Sequence, residues 1–380
     1  MTRFDIYIMF LIRSLNYGGA ERQLVTLARG LHQSGYKVAV AVFYPGGPLE
    51  KDLEETKITV IHLNKRHRWD VFGFLWRLVR LLRTEKPEIL HGYLGMPNIL
   101  TVMLKPIFPR MRMVWGVRAS DMDLARYDWL SRLAYRIECC LSRFADLIIA
   151  NSHAGLNYAV RNGFPREKMR VIPNGIDTNR FQPDPDAGAR VRNQWGVSGK
   201  ETLIGLVGRL DPMKDHPTFL KAASILLRNR KNLRFVCIGE GPSEYKQELN
   251  DLSRELGLTE HLIWAGVRRD MPAVYSALNI AVSSSYSEGF PNVIGEAMAC
   301  GIPCVVTNAG DSAKIVGDLG IVIQPQSPQE LAEGLRAMLA GLDDIKPDLL
   351  RKRIIQNFSL HKLIETTEEV LIGQEVSGNV

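Results

Sequence analysis

The chain has 380 residues, of which 46% are hydrophobic and 23% charged. That length exceeds one ordinary core and predicts two domains of roughly 150 to 200 residues, while the composition excludes a largely disordered or fibrous chain. Charge is uneven: residues 1–172 carry 26 basic against 15 acidic side chains, a net +11, and residues 173–380 carry 22 against 26, a net −4.

The five cysteines, Cys139, Cys140, Cys237, Cys300 and Cys304, include no CxxC pair and have no neighbouring His cluster. This argues against a zinc site or a disulfide framework and for a reducing, cytoplasmic setting. The start, MTRFDIYIMFLIRSL, has an acidic residue and only a short apolar run before Arg13, so it reads as a buried strand rather than a secretion signal. No apolar run reaches the roughly 18 residues that a membrane span requires. The basic half predicts an anionic partner. Its cations are not interleaved with aromatics as in a nucleic-acid module, so no nucleic acid is expected and an anionic lipid surface is the better candidate.

Short apolar runs alternate with longer amphipathic ones, the signature of βαβ units and a parallel sheet. Strands are expected at 6–12, 38–43, 59–63, 89–92, 113–117, 147–150 and 170–172. Residues 173–196, dense in Pro, Gly, Asn and Asp, read as an inter-domain linker that breaks regular structure. The alternation then restarts, with strands expected at 202–209, 233–241, 262–266, 279–285, 303–307 and 320–325. The fold class is therefore α/β, with two Rossmann-like doubly wound domains. Ligands of such sheets bind beyond the carboxyl ends of the strands, so strand-end loops of two facing sheets would line a shared cleft.

Three strand-end loops carry chemistry. In LNYGGAERQ, Gly18 and Gly19 precede a helix expected to begin near Ala20; paired glycines let a phosphate approach the backbone and the helix start, although a plain helix-start turn has the same form. Neither GxGxxG nor a Walker lysine is present there. In GLVGRLDPMKDHPTFLKA, Arg209 follows a strand directly and Lys214 comes five residues later, before a helix that Asp215 caps with Pro217 in its first turn. Two cations on one strand-end loop suit a diphosphate; solvated side chains are the alternative.

The third loop is SYSEGFPNVIGEAMACGIPCVV. Pro291 places a helix start between Glu288 and Glu296. Glu288 then lies in the loop, able to accept from sugar hydroxyls, and Glu296 lies in the second turn, able to clamp a ribose. The backbone N–H groups around Phe290, Pro291-Asn292 and Val293 face an anion. Alternatively Glu288 only stabilises the helix start and Glu296 is a surface charge, but the small-residue run AMACGIP after it leads into a buried strand, which disfavours a solvated face.

Glu288-x7-Glu296 within SEGFPNVIGEAMACGIPCVVT, together with VGRLDPMK, NYGGAER and VIPNGIDTNRF, resembles glycosyltransferase family 4, retaining GT-B enzymes that move a sugar from a nucleotide diphosphate. The matches fall in order from Gly18 to about Leu339. The resemblance implies an acceptor-binding domain over 1–172, a linker over 173–200, a nucleotide-sugar domain over 201–342, and C-terminal helices over 343–380 that cross back to the first domain. It implies that Gly18 and Gly19 meet the diphosphate, that Arg209 and Lys214 neutralise it, and that Glu288 holds the sugar, making these last three the catalytic set. Phe290, Pro291, Asn292 and Val293 would lie beside the donor, Glu296 on the ribose, and Gly241 and Val267 near the base.

It further implies a co-substrate, a UDP-sugar, with no cofactor and no metal, and an acceptor that is a glycan or lipid-linked, in cell-surface polysaccharide synthesis. The departing phosphate would take the acceptor's proton on the same face, unlike the two-carboxylate arrangement of glycosidases. A nucleotide-sugar epimerase or hydrolase of the same fold, and a non-catalytic partner subunit, are the rival readings.

Many members of the family carry a histidine where VWGVRASDMD offers Arg118. A guanidinium is no base near neutral pH, so Arg118 is expected to bind phosphate or hydroxyl, with His91, Tyr93 and Asp121 the other acceptor-side residues. His91 has an ordinary alternative as a structural hydrogen-bonder. The DMD run, Asp121 to Asp123, is not expected to bind metal. Finally, KRHRWDVFGFLWRLVRLLRTEKPE (65–88) reads as a helix packed on its sheet, or as one whose start also docks on an anionic membrane surface with Arg77 and Arg80 outward.

Overall fold

In the computed structural model, which describes residues 6–67, 69–118 and 129–372, the thirteen expected strands are all present, each within a few residues of its expected bounds. The first seven alternate with helices: β1 (Tyr7–Ile12), α1 (Gly19–Gln33), β2 (Lys37–Val42), α2 (Glu50–Glu54), β3 (Thr59–His62), α3 (Phe72–Glu85), β4 (Ile89–Tyr93), α4 (Gly95–Met103), β5 (Arg112–Val117), α5 (Trp129–Leu141), β6 (Leu147–Ala150), α6 (His153–Arg161) and β7 (Met169–Val171). After α7 (Pro185–Gln194) the pattern resumes with β8 (Thr202–Val207), α8 (His216–Leu227), β9 (Leu233–Ile238), α9 (Ser243–Glu255), β10 (Leu262–Gly266) and α10 (Met271–Ala277). It closes with β11 (Ile280–Ser283), α11 (Asn292–Ala299), β12 (Cys304–Thr307), α12 (Ser312–Val316), β13 (Ile321–Ile323), α13 (Pro328–Ala340), α14 (Pro347–Phe358) and α15 (Leu360–Ile372).

The strands form two all-parallel sheets, ordered β3-β2-β1-β4-β5-β6-β7 and β10-β9-β8-β11-β12-β13. Parallel sheets are covered on both faces, so their strands read as continuous apolar runs. Accordingly every residue of YIMFLI in β1 is buried. In each sheet the order reverses once, between β1 and β4 in the first and between β8 and β11 in the second. Such reversal points leave a crevice at the strand ends where α/β proteins take their ligands.

The chain divides into two compact units. One contains the first sheet up to Gly175 together with α15, and the other runs Ile176–Ser359. The C-terminal helices divide accordingly. In the second unit α14 packs on α11, and Arg351 donates to the carbonyls of Thr178, Phe181 and Ala299. In the first, α15 lies against α1, so close at Gly30 that an added Cβ would sit 2.2 Å from the Ile364 side chain.

The segment expected to be an irregular linker departs from that expectation by containing α7. Asp184 and Pro185, read as breakers, are its N-cap and first-turn proline, with Ala187 N donating to Asp184 Oδ1 at 2.9 Å. The buried Ala187 and Val191 and the close approach of Gly188 to Ser276 pack α7 on α10.

Candidate active site

Of the site residues expected from sequence, Arg209, Lys214, Glu288 and the start of α11 follow the strands at the reversal point of the second sheet, and Gly18, Gly19, His91 and Tyr93 belong to the strands or strand ends at that of the first; Gly241, Val267 and Arg118 follow neighbouring strands. In the second unit β8 ends at Val207, and the chain passes through Gly208 and Arg209 into a single 3-10 turn, Pro212–Lys214, before α8. Asp215 stands at φ +47°, a left-handed conformation that short polar side chains tolerate, and its Oδ1 caps α8 by accepting from Thr218 N at 3.2 Å. The expected cap is thus in place, with Pro217 in the first turn.

Across the reversal point, β11 ends at Ser283 and leads to Glu288 and α11. Two donors, making three hydrogen bonds, tie this loop to the lysine turn. The fully buried Ser284 hydroxyl donates to the carbonyls of Lys214 (2.8 Å) and Asp215 (3.0 Å), and Tyr286 N donates to Met213 O at 3.1 Å. The clamp brings the Lys214 ammonium onto Glu288 Oε1, which also accepts from Ser285 Oγ at 2.7 Å. Sequence reasoning named both residues but not their pairing, and it missed Ser284 and Ser285 altogether. A run of three serines carries no periodic or motif signal of its own.

Arg209 differs from Lys214. Its side chain is 79% exposed and meets only Asp211, at 3.2 Å, an exposed pair of the kind that adds little stability.

The helix α11 starts after Pro291, whose own side chain supplies no cap, and the positive end of its dipole favours an anion at this point. Asn292 and Val293 lie in this first turn, half-buried, whereas the Phe290 ring is buried in the core and lies tilted against Phe358, 5.5 Å between ring centres. Phe290 can therefore serve a donor only through its backbone. Glu296 lies one turn further on, half-buried, and its Oε2 accepts from the Tyr275 hydroxyl at 2.7 Å. Burial and then the Glu296 carboxylate push the Tyr275 hydroxyl's pKa well above 10.

Gly241 has a packing reason for being glycine, since an added Cβ would lie 2.1 Å from Leu210 O. Val267 is 69% exposed. Behind Lys214, His216 is buried, and neither ring nitrogen has a hydrogen-bond partner. Burial, with the Lys214 charge adding to it, pushes its pKa down to about 4, so it stays neutral and sets no second cation against the lysine.

In the first unit, Gly18 is the N-cap of α1 with extended backbone and no side-chain cap. A Cβ at Gly18 would collide with the Glu21 carboxylate at 2.0 Å, whereas at Gly19 it would meet nothing within 4 Å. Open space thus lies over the start of α1 at Gly19. At the end of β4 and β5, Arg118 donates to Asn174 Oδ1 at 3.0 Å and to the Tyr93 hydroxyl, with its guanidinium 4.5 Å from the centre of the Tyr93 ring.

His91 is fully buried, its ring 5.2 Å from Phe10 and 5.4 Å from Tyr93, with no hydrogen-bond partner on either nitrogen. That corrects the hydrogen-bonder alternative: His91 is an aromatic packing residue, with its pKa pushed down to about 3 by burial and the Arg118 charge. His91 and Tyr93 offer no surface to solvent, and of this group Arg118 is the partly exposed member. Asp121 lies outside the described residues.

A family model described as Glycosyltransferase Family 4 matches residues 17–180, and one described as Glycosyl transferases group 1 matches residues 189–358. The chain belongs to glycosyltransferase family 4. It is a glycosyltransferase of the GT-B fold that uses a nucleotide sugar. Among similar glycosyltransferases, a UDP-Gal:alpha-D-GlcNAc-diphosphoundecaprenol alpha-1,3-galactosyltransferase of Escherichia coli is 27% identical over 319 residues, 79% of each chain. An N-acetylgalactosamine-N,N'-diacetylbacillosaminyl-diphospho-undecaprenol 4-alpha-N-acetylgalactosaminyltransferase of Campylobacter jejuni is 26% identical over 363 residues, 93% of this chain and 92% of that one. The crystal structure of Anabaena HepE in complex with UDP has the same fold, with a TM-score of 0.85 at 24% identity, over 97% of this glycosyltransferase and 100% of that chain.

Proposed function

We propose that the protein is a retaining, metal-independent glycosyltransferase that moves a sugar from a UDP-sugar to a lipid-linked acceptor in cell-surface polysaccharide synthesis, on the cytoplasmic face of a membrane. The observation that carries this reading is the Lys214–Glu288 pair beside the start of α11. A cation, a sugar-binding carboxylate and a helix dipole are thereby assembled at one reversal point.

As the anomeric C–O bond breaks, negative charge grows on the departing diphosphate, where Lys214, Arg209 and the helix start at Asn292 stabilise it. Glu288 holds the sugar hydroxyls and Glu296 the ribose. The acceptor oxygen bonds to the anomeric carbon on the face that the diphosphate leaves, and its proton passes to the departing phosphate oxygen. No protein nucleophile and no cofactor enters this scheme. The fixed cations take the part that a metal ion would otherwise play.

Support for the donor comes from HepE, which was crystallised with UDP and with UDP-glucose. Support for the acceptor comes from the two relatives that act on diphosphoundecaprenol-linked sugars. The membrane is supported by the net +11 of residues 1–172 and by α3 with the turn before it, which divide their apolar side chains. Phe74, Leu78 and Leu82 are buried on the sheet, whereas Trp69, Phe72 and Trp76 stand exposed, with the Arg80 guanidinium 5.4 Å from the Trp76 ring. Aromatic and cationic groups together suit an anionic headgroup layer. Arg77, expected to point outward, is instead held by Asp70 and the Leu63 carbonyl.

The test is to incubate the chain with UDP-sugars in the presence of a chelator, with and without undecaprenyl-diphosphate-linked sugars, and to read product and anomeric configuration by NMR. Acceptor-dependent transfer with the donor's configuration retained is expected. UDP release of equal rate without acceptor would replace transfer by hydrolysis, and inversion would overturn the same-face mechanism.

A further inference from the structure

One donor that orients Glu296 lies outside every recognised loop. Tyr275, on α10, is fully buried, and its ring meets Phe181 edge-on at 6.0 Å. The rigid ring carries its hydroxyl to Glu296 Oε2 at 2.7 Å. A carboxylate's terminal torsion is broad and twofold, so packing of the stem alone does not aim its oxygens. A charge-assisted hydrogen bond from a donor that cannot move does aim them. The phenol remains protonated at any physiological pH, because burial and the neighbouring carboxylate both oppose its ionisation.

We infer that Tyr275 is a positioning residue that sets the enzyme's selectivity for ribonucleotide over 2′-deoxyribonucleotide donors, by holding the Glu296 carboxylate in the orientation that receives the ribose hydroxyls. This rests on the reading of Glu296 as the ribose-binding carboxylate. A site that hydrogen-bonds a substrate hydroxyl rejects the analogue that lacks it, because its own polar atom is left unpaired. That rejection depends on the carboxylate's aim. A carboxylate free to turn satisfies itself with water for either sugar and discriminates less.

The experiment uses the full chain and two nucleotides, UDP and 2′-deoxy-UDP, with Kd measured by calorimetry and KM and kcat by transfer. Tyr275→Phe removes one oxygen and keeps the ring. It is expected to weaken UDP binding about tenfold, the worth of one charge-assisted hydrogen bond, and to leave 2′-deoxy-UDP nearly unaffected. The ratio of the two Kd values should then fall by the same factor, with the loss in transfer on KM rather than kcat. Because the ratio is taken on one preparation, it does not depend on the fraction that folds.

Glu296→Gln is the companion variant and is expected to lose the same selectivity. If Glu296→Gln loses it and Tyr275→Phe keeps it, with only a fall in Tm, the inference fails and the ribose reading stands. If Glu296→Gln keeps the selectivity of the unaltered chain, the ribose reading itself fails and the inference goes with it.

Discussion

Lys214 and Glu288 are side chains of opposite sign with only 23% and 11% of their surfaces exposed, so each screens the other from the cost of partial burial. A donor that inserts its diphosphate and sugar between them finds both groups already desolvated and aimed. Lys214→Ala is therefore expected to lower kcat at saturating donor by roughly a hundredfold or more, the usual cost of removing one group that meets developing charge. Undiminished turnover would remove Lys214 from the mechanism. The buried imidazoles make a separate prediction about pH. Above about pH 6.5 His91 and His216 are neutral in both folded and unfolded chains and stability does not depend on them. As pH falls from the ordinary value of 6.5 toward the folded values of about 3 and about 4, the unfolded chain takes up protons that the folded chain refuses, and stability is lost. Urea denaturation across pH 4 to 7 should show that slope, and His216→Gln should flatten it.

At the scale of elements, the reversal between β8 and β11 matters most. It sets the ends of two strands side by side that lie 74 residues apart along the chain when measured from Lys214 to Glu288. Ser284 joins the two loops, and Ser284→Ala leaves two buried carbonyls short of a donor. Transfer should fall about tenfold, read as kcat, because the lysine turn loses its anchor. An unchanged kcat would show that Tyr286 N holds the loops by itself. The same region explains Gly310, at φ +60°, where an added Cβ would lie 2.4 Å from Glu288 O. The glycine lets a third strand-end loop press on the one that carries Glu288, and Asp311 N donates to Gly289 O at 2.9 Å. None of these cross-loop contacts has a local sequence signature. The strands themselves were legible, since each is a short buried run bounded by turn residues. Helix starts marked by proline and aspartate were legible too, at Asp215 and Pro291, whereas Asp184 and Pro185 were misread because the same residues that break a helix also begin one.

For the whole molecule, charge is the property that distinguishes the two halves. The net +11 of residues 1–172 and the exposed Trp69, Phe72 and Trp76 together predict co-sedimentation with phosphatidylglycerol vesicles that weakens with salt. Replacing the three aromatics by serine should cut that binding about tenfold or more while leaving binding of UDP intact. Equal sedimentation with phosphatidylcholine would overturn the anionic-surface reading. Among the described residues no helix is long and apolar enough to cross a membrane. From sequence alone came the α/β class and the thirteen strands, because these depend on periodicity and turn chemistry within a few residues, and the family, through the resemblance of its motifs. Strand order, the Lys214–Glu288 pair, the Ser284 clamp, the burial of His91 and Phe290 and the hold of Tyr275 on Glu296 were decided only by tertiary structure. They join residues far apart along the chain, as Phe10 and His91 in neighbouring strands or Lys214 and Glu288 in neighbouring loops, and such contacts form only once the sheet has chosen which strands lie beside each other.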